Sequence, residues 1–199
     1  VGLLDLPARA LLDRFAAKDP TPGGGSAAAL AGALGAALVS MVCAMEKTRT
    51  GDASERTRLD AAGASAREAG ERLRSLVDED TAAYDAVMSA YRLPKASDEE
   101  KARRKQAVAA AMARATEVPR RTAQSCLAVL RAALEAAGHG NPNAVSDAKT
   151  AGALAWAGLL GAVENVRINL GPNPDPAAVA DLDQLLREAR ESTKKLGLE

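Results

Sequence analysis

Residues 20–42 constrain this chain more than any other stretch. Pro20 and Pro22 stop whatever helix precedes them, and Gly23, Gly24 and Gly25 make a pliable turn. Ser26 stands where an N-cap belongs, and Ala, Leu and Met then supply strong helix formers. Gly32, Gly35 and Ala36 put so little side chain on this helix that a neighbouring backbone can approach it closely. A bulky substitution there is expected to overpack the contact, at a cost of about 1–3 kcal/mol. Such a segment reads as the central helix of a bundle. Its glycine turn also exposes backbone N–H groups at a helix start, although no Lys-Ser/Thr pair follows and no strand precedes, so it is not a P-loop.

The rest of the chain is consistent with an all-α fold. Helical spacing predicts a short amphipathic helix over 3–17, the central helix to about residue 47, and a long helix over 54–91. A fourth helix opens on the capping box Ser97-Asp-Glu-Glu100 and reaches about residue 137, with a kink expected at Pro119. A fifth spans about 144–170 and a sixth 177–196. Short turns between long helices predict an up-and-down antiparallel helical bundle of about five to six helices in one domain over 1–199. The second and fifth helices are poor in polar residues all round, which predicts a homodimer formed through helix faces.

Composition removes several functions. Lys plus Arg and Asp plus Glu each number 26, and aromatics are 2% of residues, so neither a basic field nor a stacking platform suggests nucleic acid. The uncharged run 21–45 is mostly Ala and Gly, so no membrane span is expected. The first residues show no signal-peptide pattern, and two distant cysteines in apolar helical runs suit a reduced, cytoplasmic protein. One His and no Glu-x-x-His pair give no metal site.

Alternating helix directions sort the remaining polar residues by level. Gly23 to Ser26, Asp80 with Tyr84, and Asn165 with Asn169 are predicted towards one end of the bundle; Arg49, Asn141 and Asp147 are predicted towards the other. Asp147 and Asn165 share a helix face but lie about 27 Å apart along the axis, too far to serve one small site within one subunit. Each residue also has a purely structural use. Asp147 suits a first helical turn, Asn141 a turn, and Asp80 with Tyr84 a side-chain hydrogen bond. His139 reads as a loop residue.

Taken in order, Pro22-Gly-Gly-Gly-Ser-Ala-Ala, Gly32-Ala-Leu-Gly, Asp78-x-Asp80-x-x-x-Tyr84, Arg92-Leu-Pro-Lys95, Val118-Pro119, Gly140-Asn141, Ser146-Asp147 and Asn165-Val-x-Ile-Asn169 resemble the cyclodeaminase/cyclohydrolase family. The resemblance spans about residues 10–195. It implies a dimeric helical bundle acting on a tetrahydrofolate derivative as substrate, with no cofactor or metal. The reaction expected is cyclodeamination of 5-formiminotetrahydrofolate, with hydrolysis of 5,10-methenyltetrahydrofolate as the alternative and a non-catalytic folate-binding or interaction dimer as a reading of another class. Asp80 is expected as charge stabiliser or base, and Asp147 as a second carboxylate contributed by the partner subunit. Gly24, Gly25, Ser26 and Arg49 are expected on the glutamate carboxylates, and Tyr84, Asn141, Asn165 and Asn169 about the substrate. Against the pattern of that family, the segment 46–52 keeps only one aligned basic position, Arg49, and lacks the aromatic.

Overall fold

The computed structural model describes residues 1–198. Among the described residues six α-helices follow one another: α1 Ala8–Ala16, α2 Gly24–Ala44, α3 Ala53–Tyr91, α4 Asp98–His139, α5 Val145–Leu170 and α6 Pro176–Leu196. The all-α bundle expected from helical spacing is the fold observed. Helices α2 to α5 pack as a ring in which sequence neighbours lie side by side and α2 closes on α5, while α6 lies against α4 and α5.

Two N-terminal expectations are corrected. The helix over 3–17 is broken, because Leu6 precedes Pro7 and is pushed to an extended conformation (φ −75°, ψ 144°). Residues Leu3–Asp5 form a 3₁₀ turn, and α1 starts after Pro7. The Leu3 N–H donates to Asp78 Oδ1 at 2.8 Å, tying this arm to α3. The cap of α2 is Gly23 and not Ser26, because the Ser26 hydroxyl is directed instead to Asp80 on α3 (3.0 Å).

Close approach of α2 and α5 is what the small residues are for. A Cβ on Gly35 would meet the Ala151 carbonyl at 2.8 Å, and one on Gly158 would meet that of Ala28 at 2.6 Å. Leu59, Leu73, Leu76, Leu130 and Leu159 are the largest fully buried side chains of the core. No basic residue lies in the last turn of α2. Its C-terminal carbonyls are met from α3 by Arg56, which donates to Met45 O at 2.8 Å and to Cys43 O, a charge favourably placed at the negative end of the helix.

The capping box at Ser97 forms as expected, with Glu100 N–H to Ser97 Oγ and Ser97 N–H to Glu100 Oε2, both at 3.1 Å. Pro119, where a kink is expected, lies within the continuous helix α4. Lacking an N–H, Pro119 leaves the carbonyl four residues back, Ala115 O, without its helical donor. Asn169 Nδ2 from α5 takes that carbonyl at 2.7 Å.

By length and composition α2 is apolar enough to cross a membrane, yet half of it is buried inside the bundle. Its outward side stays apolar, with Leu34 53% and Met41 43% exposed. Leu160 is exposed on the neighbouring α5.

Candidate active site

The start of α2 meets the middle of α3 through one contact that shapes the site. Gly25 is buried directly against the Asp80 carboxylate, and a Cβ there would fall inside it, with Oδ2 at 2.7 Å. Only glycine lets the two helices bring a carboxylate this near the first turn of α2. Ser26, fully buried, donates its hydroxyl to Asp80 Oδ2 and lies 3.4 Å from Thr81 Oγ1. Burial raises the Asp80 carboxyl above its ordinary 3.8, while the Ser26 hydroxyl and backbone N–H oppose that shift.

Above this carboxyl lies a cavity of about 330 Å³. The glycine turn, Tyr84 and Val87 of α3, Met112 and Ala115 of α4, and Asn165 and Asn169 of α5 line it. Six residues expected at this end are therefore drawn together: Gly24, Gly25, Asp80, Tyr84, Asn165 and Asn169 all face one space. Ser26 does not; it lies behind Asp80 and positions it. Each asparagine commits an N–H to backbone, Asn165 to Gly161 O at 2.8 Å and Asn169 to Ala115 O, which fixes the amide and leaves its oxygen for the cavity. Asp80 is the one carboxylate in this lining, and no Lys, Arg or His accompanies it. Such a lining favours a group that is or becomes cationic.

The α4 contribution was missed at the sequence level. Met112 and Ala115 look like ordinary helix interior, and the available signal was Pro119, which frees a carbonyl at the wall of the site.

The other three expected residues lie at the opposite end of the bundle, as the alternation of helix directions predicts. Arg49 donates its backbone N–H to His139 O at 2.9 Å and its guanidinium to Ala137 O at 2.6 Å. Asn141 Oδ1 accepts the Asn143 N–H at 3.0 Å, and its amide nitrogen lies 3.8 Å from Met45 Sδ. Asp147 occupies the first turn of α5 and is half-buried. His139 ends α4, its ring 4.0 Å from Glu55 and 3.7 Å from Glu135.

Residues 7–188 match the family model described as formiminotransferase-cyclodeaminase. The chain belongs to that family. A methenyltetrahydrofolate cyclohydrolase from Methylorubrum extorquens is 41% identical over 186 residues, covering 89% of this chain and 88% of that protein. The formimidoyltransferase-cyclodeaminase of Rattus norvegicus is 38% identical over 173 residues, but this family member spans only 31% of that longer protein. The crystal structure of formiminotetrahydrofolate cyclodeaminase from Thermotoga maritima superposes with a TM-score of 0.82 at 24% identity, covering 98% of this chain and 95% of that one. It shares the bundle fold.

Proposed function

We propose that this chain is a folate one-carbon enzyme whose cavity holds the carbon bridging N5 and N10 of a tetrahydrofolate. The observation that carries the reading is a lone, partly desolvated carboxyl, Asp80, fixed against the glycine turn in a cavity free of cations. The methenyl bridge is a delocalised cation, and a carboxylate beside it stabilises the charge and relays a proton.

Hydrolysis of 5,10-methenyltetrahydrofolate is the first reading, supported by the cyclohydrolase relative matched along nearly its full length. Water adds to the bridge carbon while Asp80 accepts one of its protons. The C–N5 bond of the tetrahedral intermediate then breaks, Asp80 returns that proton to N5, and the hydroxyl proton leaves to solvent as the formyl group forms. Cyclodeamination of 5-formiminotetrahydrofolate is the second reading, supported by the cyclodeaminase-containing relatives. There N10 attacks the carbon of the protonated formimino group, Asp80 carries the N10 proton to the resulting amine nitrogen, and the bond from the bridge carbon to that nitrogen breaks, releasing ammonia and leaving the methenyl cation.

The functional unit of this reading is a cytoplasmic homodimer formed through the outward stripe of α2 and α5. That stripe centres on Leu34, midway along a helix about 30 Å long. A two-fold axis near Leu34 and perpendicular to α2 would set the two copies of α2 antiparallel, bringing the Arg49, Asn141 and Asp147 end of one subunit to the Asp80 end of the other. Asp147 then supplies the second carboxylate that one subunit alone cannot.

Asp80→Asn tests the assignment. Turnover should fall about 10²–10⁴-fold with the fold intact by circular dichroism; undiminished turnover refutes the role.

A further inference from the structure

The substrate reading leaves an acid unplaced. A folate carries its glutamate carboxylates at the end opposite the pterin, and the start of α2, the obvious anion site, is already faced by the Asp80 carboxylate. A second carboxylate there would be repelled.

Beyond the cavity, α3 and α4 continue as a hairpin. From Asp80 to Tyr91, α3 rises about 16 Å. Tyr84 and Val87, which line the cavity, share a helix face with Tyr91 at i, i+3 and i+7. On α4, Ala115 and Met112 of the cavity share one stripe with Val108, Lys105, Arg104 and Lys101. Tyr91, Val108 and these three cations, joined by Lys95 from the turn, line a second cavity of about 400 Å³ at the hairpin tip. The two cavities therefore lie along the same pair of helix faces, one with a carboxylate and the other with four cations. Arg104 is fixed in place, donating Nε and Nη2 to Tyr91 O at 3.2 and 3.1 Å with its guanidinium 5.6 Å from the Tyr91 ring. Lys101 pairs with exposed Asp98 at 2.8 Å, and Glu100 is committed to the backbone N–H groups of Ala96 and Ser97. Arg49 lies at the far end of the same subunit, could reach this cavity only from the partner subunit of the proposed dimer, and spends a guanidinium N–H on Ala137 O.

The geometry points to the hairpin tip as the subsite for the glutamate carboxylates of the substrate, and for further carboxylates of a γ-linked glutamate chain. The assignment rests on the folate reading above. The arm between pterin and glutamate then lies along the groove past Tyr84 and Val87, and the positive tip draws the anionic end from solution.

The test is calorimetric binding of three 5-formyl compounds, tetrahydropteroate (no glutamate), tetrahydrofolate (one) and its γ-triglutamate, to the wild type and to the Lys95→Ala/Lys105→Ala variant. In the wild type, affinity should rise with glutamate number and that gain should shrink as salt rises. The variant should lose about tenfold on the triglutamate and bind the glutamate-free compound as the wild type does. An unchanged glutamate gain in the variant overturns the assignment, as does loss of that gain in Arg49→Ala but not in the double variant. Wild-type protein that binds none of the three overturns the folate reading itself, and the assignment with it.

Discussion

The bond between Asn169 and Ala115 makes a prediction that sequence distance alone would not suggest. Replacing Asn169 by Ala removes a 2.7 Å donor from a carbonyl that Pro119 has left without its helical partner. A lost hydrogen bond with its acceptor left unsatisfied costs about 1–2 kcal/mol, or about 2–8 °C in Tm for a chain of this length. In a Pro119→Ala background, residue 119 gains an N–H able to reach Ala115 O, and the same Asn169→Ala change should cost about 1 kcal/mol less. The better helix propensity of Ala over Asn, up to about 0.7 kcal/mol, enters both legs and cancels in the cycle. Urea unfolding of the wild type, both single variants and the double variant measures the coupling. Costs that add to within about 0.3–0.5 kcal/mol would refute the pairing of proline and asparagine.

Other outcomes follow from the site. Gly25→Ala should displace the Asp80 carboxylate, costing about 1–3 kcal/mol by thermal unfolding and most of the turnover, whereas Gly24→Ala, whose Cβ would meet only Asn165 Nδ2 at 3.8 Å, should leave stability close to wild type. Because the folded Asp80 carboxyl titrates above 3.8, its ionisation opposes folding: this term is absent below pH 3.8 and grows as pH rises through the folded value. Asp80→Asn should therefore leave the Tm near neutral pH equal to or above that of the wild type, and a lower Tm there would count against a desolvated carboxyl. Leu34→Glu should convert the proposed dimer to monomers in sedimentation and abolish turnover. Mixing inactive Asp80→Asn and Asp147→Asn subunits should restore about a quarter of wild-type activity, since half the dimers then carry one intact site; no recovery in exchanged dimers would refute a shared site.

Much of the fold was legible because its signals are local. Proline and glycine clusters mark the ends of the helices, Ser97 and Glu100 mark a start, and apolar spacing marks the buried faces. The N-terminal break was legible too, in Pro7, but helical spacing over 3–17 outweighed it. The site was legible as two levels, since alternating helices put Asp80 with Asn165 and Arg49 with Asp147. The division of labour within it was not. Ser26 looks like a cap and instead holds Asp80, because Gly25 admits the carboxyl so close that the hydroxyl has a nearer partner. The asparagines look like ligand groups; Asn165 turns back to Gly161 O four residues earlier on its own helix, whereas the anchoring of Asn169 to Ala115 O depends on how α4 and α5 pack, which no spacing reveals.

The chemistry proposed for this cavity is transformation of the methenyl carbon of a tetrahydrofolate. It is tested most directly by following the methenyltetrahydrofolate absorbance band with purified protein. Decay of supplied methenyltetrahydrofolate faster than in buffer is the result expected from hydrolysis, and growth of the band with ammonia from 5-formiminotetrahydrofolate is the result expected from cyclodeamination. A band that neither decays faster than in buffer nor grows would contradict the account.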